Sequence, residues 1–292
     1  MSESGSVLDW YGCATFRLQT AGLRIFLDAY IDRAEGAQGT GLRADDIEEA
    51  DWIVIGHSHF DHLYGAERIA QNTGARIIGS YESIRVMEQA GVPLEQMICV
   101  AGGETIDLGN GVRVSVYPSQ HSCVWSHGQM ANAGEVCIGD LGVTWQEQKA
   151  RFEELVKYLA TEIPPPSIEH LVTSQQGDRG DGGALIYLFE TAEGRILYQD
   201  TSGHWSGILD ILEPDVAILA AAGRGELDIS QRDSVRWSRL VWDDASLTPI
   251  YVVHFSSALV WYLLLLWLPT YLRLRFALEA SQPAPPQEGT EP

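Results

Sequence analysis

The segment WIVIGHSHFDH, residues 52–62, decides the fold, because a strand-like apolar run leads directly into a cluster of ionisable side chains. "WIVIG" is a continuous apolar run of the kind that forms a strand buried on both faces. His57, His59, Asp61 and His62 follow where that strand would turn into a loop. Burying such groups without partners is costly. The cluster therefore predicts a functional site at the end of a strand.

The spacing within the cluster favours metal binding. Alternate residues of an extended segment point the same way, so His57 and His59 can share one set of ligands. Asp61 and His62, beyond the turn, would face a second position nearby. Imidazole and carboxylate groups suit Zn, Mn or Fe, and two ions about 3.5–4 Å apart form a known hydrolytic device. We expect two divalent ions, with zinc favoured and Mn or Fe as alternatives.

A binuclear site needs more ligands, and further ionisable residues follow apolar runs downstream. His121 closely follows "VRVSVYP", Asp200 follows "RILYQ" and His254 follows "PIYVV". An unpartnered ionisable group is costly at each of these positions. His204, in "DTSGHW", competes with His254 for the last ligand position.

The surrounding pattern predicts an α/β protein. "TFRLQTAGLRIFL" (15–27) and "ETIDLGNGVRVSVYP" (104–118) each carry period-two runs around a Gly-containing turn, as hairpins do. Helical spacing is expected over 65–73 and 83–90. This succession of strands and helices predicts an α/β sandwich of mixed sheets.

We expect residues 1–280 to form a single domain with a loop or helix insertion at about 124–182. The insertion would contain a helix over 145–160, a break at "IPPPS" and a Gly/Asp-rich loop. It either shapes access to the site or is a surface addition without a catalytic role. The Pro-rich residues 281–292 are expected to be a disordered tail.

Charge and cysteine content narrow the functional classes. The chain has 40 Asp and Glu against 19 Lys and Arg, a net charge of −21, which disfavours nucleic-acid binding. Four widely spaced cysteines without a CxxC pair indicate reduced thiols. The first residues lack the basic and apolar segments of a secretory signal. These features predict a cytoplasmic protein.

An apolar run at 250–268 reaches the lower length range of a membrane-spanning helix. Our first expectation for its core, 258–268, is burial or contact between copies in a homo-oligomer. Membrane contact through 258–268 and a disturbed C-terminal sequence are the alternatives. The location would then be cytoplasmic, or cytoplasmic with membrane association.

Together these motifs resemble the metallo-β-lactamase superfamily. The cluster at 57–62 matches its HxHxDH signature, and "YQDTSG" (198–203) resembles its Gly-Asp-Thr-(Gly/Ser) motif. "WYGCATFRLQTAGLRIFLDAY" (10–30) resembles the opening strand pair of ascorbate-phosphate lactonases, related metal-dependent hydrolases and the N-acyl-phosphatidylethanolamine phospholipase D type. The chain departs from that branch at Cys13, which often is His there, and at Gln199, which is usually Gly.

The resemblance implies an αββα sandwich with the metals at one edge between two β-sheets. It implies that the first metal is held by His57, His59 and His121, and the second by Asp61, His62 and His254, with Asp200 bridging both. The implied activity is hydrolysis of a small ester, lactone or phosphodiester by a hydroxide that bridges the two metals. Asp61 would also act in catalysis by orienting this nucleophile.

Two other functions stay open at this point. The chain could be a non-catalytic metal-binding scaffold, if the departure of its C-terminal part from the family removes the second metal position. It could instead be a membrane-associated phospholipase-like phosphodiesterase, if 258–268 contacts a membrane.

Overall fold

Two β-sheets that follow one another in the sequence form the centre of the molecule. The computed structural model describes residues 5–35, 41–121, 144–147, 149–150, 153, 156–157, 164–175, 179, 182–201, 203 and 205–220. The first sheet consists, in spatial order, of β1 (Val7–Trp10), β2 (Phe16–Thr20), β3 (Leu23–Leu27), β4 (Trp52–Val54), β5 (Arg76–Gly79) and β6 (Met97–Cys99). The second consists of β11 (Val216–Leu219), β10 (Arg195–Gln199), β9 (Leu185–Glu190), β8 (Val112–Pro118) and β7 (Thr105–Gly109).

Both sheets are mixed. In the first, β1, β2 and β3 pair antiparallel, whereas β3, β4, β5 and β6 pair parallel. The second is antiparallel except for the parallel pair β10 and β11. Helices connect the parallel strands, as such crossovers require: α1 (Phe60–Leu63) and α2 (Ala66–Thr73) precede β5, and α3 (Tyr81–Gln89) precedes β6. The carboxyl ends of β3, β4 and β5 therefore lie at one edge of the sheet.

The alternation of side chains along each strand separates two apolar layers. Leu27 and Val54 of the first sheet face the second sheet, where they share one core cluster with Val114 and Phe189. Their neighbours in the strands, such as Ile53, face the opposite side and pack with α2 and α3. Strands covered on both faces explain why "WIVIG" is continuously apolar.

The insertion contains a helix that we did not expect. Where its residues are described, the segment predicted as a helix over 145–160 is helical. A further helix, α4 (Pro165–Gln175), begins inside the predicted break "IPPPS" (163–167), so that part of the prediction was wrong; it ends where the predicted Gly/Asp-rich loop (175–183) begins. Pro165 and Pro166 are in its first turn, where the missing N–H and the fixed φ of proline do no harm.

A short helix, α5 (Ser206–Leu209), covers the outer face of the second sheet. Ile208 and Leu209 pack there against Ile186, Leu188 and Leu197. With α2 and α3 on the outer face of the first sheet, the layers run helix, sheet, sheet, helix. The predicted αββα sandwich of two mixed sheets is confirmed.

The described ranges contain no helix that is long and apolar enough to cross a membrane. The apolar run 258–268 and the tail 281–292 lie outside the described residues, as do His204 and His254. The expectations for them, and for the single domain over 1–280, stay predictions.

Candidate metal centre

The loop that follows β4 carries the histidine cluster to the edge between the sheets. Gly56 begins this loop, and its N–H donates to Oδ1 of Asp28 at 2.8 Å. A Cβ atom at position 56 would lie 2.0 Å from the Cγ atom of Asp200. Glycine is needed here because the loop of the first sheet and the end of β10 approach so closely.

The rings of three histidines lie close together: two belong to this loop, and the third, His121, follows β8. The ring centroids of His57 and His59 are 4.6 Å apart, and the ring centroid of His121 lies 4.8 Å from that of His57 and 4.5 Å from that of His59. One ring nitrogen of each residue lies within 4.8 Å of those of the other two. His57 is buried, whereas His59 and His121 are partly exposed. The cluster can therefore bind an ion on the side that solvent reaches.

A second group lies directly beside the first and shares His57 with it. One ligand atom each of His57, His62 and Asp200 lies within 4.8 Å of the others, and all three residues are buried. Nδ1 of His57 hydrogen-bonds to Oδ2 of Asp200, which also lies 3.3 Å from Nδ1 of His62. Oδ2 of Asp200 thus contacts both histidines.

Asp61 approaches the second group from its outer side. Its Oδ2 atom is 3.7 Å from Nε2 of His62. Two ligand atoms about 2.1 Å from a tetrahedral zinc ion are about 3.4 Å apart. Asp61 and His62 therefore have a separation that suits two ligands of one ion. The Asp61 side chain is 46% exposed, so it is the more accessible of the two.

Asp28, which follows β3, belongs to the site although we did not predict it. Its carboxylate is buried, and Oδ2 lies 2.5 Å from Nδ1 of His62 and 2.6 Å from the hydroxyl of Tyr198. A carboxylate behind a histidine ligand fixes its tautomer and ring orientation. The signal was present in the sequence, because Asp28 is an ionisable residue directly after the apolar run "LRIFL".

The electrostatic environment keeps His57 neutral. Burial lowers the pKa of His57 well below its usual range, and the neighbouring His62, His121 and His59 lower it further. Nδ1 then donates to Asp200, which leaves Nε2 with a lone pair for an ion. A neutral imidazole is the form that binds metals.

His62 has the opposite environment. Burial alone would lower its pKa, but the charges of Asp61, Asp28 and Asp200 outweigh burial and raise the pKa to about 10. Burial raises the pKa of Asp28 to about 6 against the pull of His62. Several carboxylates around one imidazole therefore form a pocket of negative potential that favours a cation.

Two buried polar atoms support the fit to a metal ion. In the part of the chain that the structure describes, Nε2 of His57 and Oδ1 of Asp200 are buried without a hydrogen-bond partner. Buried polar groups normally have one, and metal binding at these atoms would supply it. The imidazole and carboxylate donor set suits Zn, Mn or Fe.

Six of the seven predicted ligands lie in the described residues, and the structure brings all six to one sheet edge: His57, His59, Asp61, His62, His121 and Asp200. The seventh, His254, and its competitor His204 lie outside the described ranges. Cys13, at the position where we expected a histidine in relatives, is half-buried with a free thiol.

Comparison with known proteins finds similarity mainly in the first half of the chain. Residues 23–140 match the beta-lactamase superfamily domain, and this range includes 57–62 and His121. A metal-dependent hydrolase of Pyrobaculum arsenaticum is 35% identical over 115 residues, which cover 39% of this chain and 49% of that protein. One from Aeropyrum pernix is 29% identical over 154 residues, covering 47% and 62%. The chain spans about half the length of the curated relatives it matches.

Among solved structures, a novel metallo hydrolase from the archaeon Ignicoccus hospitalis aligns with 78% of this chain and 75% of its own. The sequence identity is 17% and the TM-score is 0.47.

Proposed function

We propose that the chain, whose residues 23–140 match the beta-lactamase superfamily domain, is a metal-dependent hydrolase of the metallo-β-lactamase superfamily. The metal site would contain two divalent ions, with zinc favoured and Mn or Fe as alternatives. We assign the first ion to His57, His59 and His121, the second to Asp61, His62 and His254, and the position between them to Asp200.

One observation carries this proposal: six ionisable side chains from three separate segments converge at one edge between the sheets. Such a concentration is expensive in a folded protein unless the groups bind something. The buried Nε2 of His57 and Oδ1 of Asp200, which have no partner among the described residues, support an ion as that ligand.

The metal ions and the residues around them would have different roles in the reaction. When bound, the metal ions would act as Lewis acids and lower the pKa of water toward neutrality. Asp28 orients His62 through Nδ1 and so directs Nε2 outward, toward Asp61. The Asp61 carboxylate is partly exposed, and we assign it to orienting an attacking water. No serine or cysteine nucleophile is needed in this scheme.

The substrate we propose is a small ester, lactone or phosphodiester. Each presents an electrophilic carbon or phosphorus atom, an oxygen to be polarised and a leaving oxygen. The net charge of −21 disfavours a polyanionic nucleic acid. A small molecule that reaches the exposed sides of His59, Asp61 and His121 fits the accessibility of the site.

Metal quantitation combined with a panel of lactones and phosphodiesters tests the proposal. We expect about two equivalents of zinc per chain and turnover of at least one substrate class. Asp200→Ala should lose metal and activity, because its carboxylate contacts both His57 and His62. Asp107→Ala is the matched control, since the Asp107 carboxylate only caps the exposed turn at Gly109.

One equivalent of metal or none, without turnover of any member of the panel, would contradict the proposal. Equal losses in Asp200→Ala and Asp107→Ala would show that the effect of Asp200→Ala is on the fold and not on the site.

A further inference from the structure

The end of the insertion contacts the backbone of the metal-binding loop. Ser58, between His57 and His59, donates its backbone N–H to the carbonyl of Gly182 at 3.0 Å. Its carbonyl accepts a hydrogen bond from Nη1 of Arg179 at 2.8 Å. Both peptide groups that join Ser58 to the two histidines are therefore fixed by residues more than a hundred positions later in the chain.

Arg179 is an unusual residue to find in this place. It is 3% exposed, and its other terminal nitrogen, Nη2, donates to the carbonyl of Ser174 in α4 at 3.1 Å. Within the described ranges it makes no ion pair with a carboxylate, and Nε is buried without a partner. A buried guanidinium is costly, and its positive charge opposes the binding of a cation nearby. Its hydrogen bonds join the metal-binding loop at Ser58 to α4 at Ser174.

Gly182 contacts His57 directly. Its φ angle is +74°, and a Cβ atom added there would lie 2.9 Å from Cδ2 of His57 and 3.0 Å from the backbone nitrogen of Ser58. The carbonyl of Gly182 also accepts from the hydroxyl of Ser80 at 3.1 Å, which ties this contact to the end of β5. A larger residue at position 182 would have to displace the imidazole.

We propose that Arg179 and Gly182 form a clasp on Ser58 that sets the directions of the His57 and His59 side chains, and thereby the metal affinity. They are positioning residues, because they act through the peptide groups and the ring of the ligands. The inference rests on the proposed metal site and gives the insertion a role in building it. Groups that orient metal ligands typically change metal affinity by about 10- to 100-fold when they are replaced.

Three variants of the full chain test the clasp. Arg179→Lys keeps the charge but cannot bridge the carbonyls of Ser58 and Ser174, and Arg179→Met removes both the charge and the hydrogen bonds. Gly182→Ala adds the methyl group that collides with His57. The readouts are the Kd for zinc by competition with a chromophoric chelator, and the visible absorption of the cobalt-loaded protein, which reports ligand geometry.

The chain offers a matched control for each kind of change. Gly74 has a φ angle of +77°, and an added Cβ would meet nothing within 4 Å. Gly74→Ala thus carries a similar backbone strain without a collision. Arg195 donates to the carbonyl of Glu213 at 3.1 Å, at the opposite end of β10 from Asp200. Arg195→Met therefore removes an arginine–carbonyl bond away from the site.

We expect all three clasp variants to weaken the zinc Kd by about tenfold or more, to shift the cobalt spectrum, and to leave both control variants within twofold of the wild type. If Arg179→Met or Gly182→Ala does not fold, the milder Arg179→Lys decides the question. Wild-type affinity and spectrum in the folded clasp variants would overturn the clasp alone. A wild-type protein that binds no zinc would instead overturn the proposed function.

Discussion

The imidazole of His57 is fully buried, whereas His59 and His121 reach solvent on one side of the same cluster. We therefore expect the three histidines to differ in function. The buried ring of His57 is shielded from solvent, whereas the partly exposed rings of His59 and His121 can be reached by an incoming ion or substrate. The consequences of replacing single residues follow from this arrangement.

His59→Ala should abolish activity through loss of metal, with only a modest change in fold, because the ring is partly exposed and contacts the rings of His57 and His121. Metal content and near-ultraviolet circular dichroism would measure the two effects separately. His170→Ala, in α4, is a suitable control, since His170 is bound to Tyr30 and outside the ligand set. A His59→Ala protein with full metal content would contradict the assignment.

Asp28→Asn should lower both stability and metal affinity. The carboxylate accepts hydrogen bonds from Gly56, His62 and Tyr198. The amide of asparagine would place its NH2 group, which cannot accept, opposite at least one of these donors. One unsatisfied buried group costs about 1–3 kcal/mol, and loss of the histidine partner should weaken zinc binding by about 10- to 100-fold. Urea unfolding and chelator competition would measure these changes. The control is Asp9→Asn, which alters the half-exposed pair with Arg17.

Two histidines outside the described residues, His254 and His204, are candidates for the last ligand position. His254→Ala should remove one equivalent of metal and most of the activity, because a lost ligand opens the second ion position. His204→Ala should have a much smaller effect. Metal content of the two purified variants checks this expectation, and the reverse order would assign the position to His204.

Residue types and spacing predicted six ligand candidates that lie close together in the structure. They were not sufficient for Asp28, Arg179 or Gly182, which act through neighbours. Asp28 follows an apolar run as the ligands do, and so the same rule could have found it. Arg179 has no such signal, because its burial depends on a contact with Ser58 that only the folded chain creates.

At the scale of elements, two tyrosines connect the second sheet to the loops of the first. The hydroxyl of Tyr187 in β9 donates to the carbonyl of Ile55 at 2.7 Å. The hydroxyl of Tyr198 in β10 lies 2.6 Å from Oδ2 of Asp28 and 2.8 Å from the carbonyl of Ala14. Both side chains are fully buried, but only Tyr198 contacts a group that orients a proposed ligand.

The effects of removing each tyrosine hydroxyl can be compared directly. Tyr187→Phe and Tyr198→Phe should each destabilise the protein by about 1 kcal/mol, the usual net value of one buried hydrogen bond. Tyr198→Phe should in addition weaken zinc binding, because Asp28 loses a donor that fixes its carboxylate. Thermal unfolding and zinc competition on both variants would measure this. Equal zinc affinity in the two would show that the Tyr198 hydroxyl has no influence on the site.

Local signals identified most of the elements near the site. The continuous run "WIVIG" became β4 in the middle of the first sheet, and the Asn110-Gly111 dipeptide became the turn between β7 and β8. The prediction failed at α4, since "IPPPS" reads as a break although proline is well tolerated in a first helical turn. Proline stops a helix that precedes it but does not prevent one that begins there.

At the scale of the whole molecule, metal should stabilise the fold. A ligand that binds only the native state adds about 2.7 kcal/mol at a concentration of 100 times its Kd. For a chain of this size that corresponds to a rise in Tm of about 4–5 °C. Scanning calorimetry of the chelated and zinc-loaded protein would measure it. His59→Ala should show little of this rise, and an unchanged Tm in the wild type would argue against native-state metal binding.

The two sheets are built from successive stretches of chain, with β1 to β6 complete before β7 begins. Four of the six described ligand candidates, at 57–62, belong to the first stretch, whereas His121 and Asp200 come with the second. During synthesis on the ribosome, the first stretch therefore leaves the exit tunnel with an incomplete set of ligands. A nascent chain could hold an ion only weakly until β10 has joined its sheet. Tight metal retention would consequently mark chains that have completed folding, and a truncated chain that ends before Asp200 would release its metal to competing chelators.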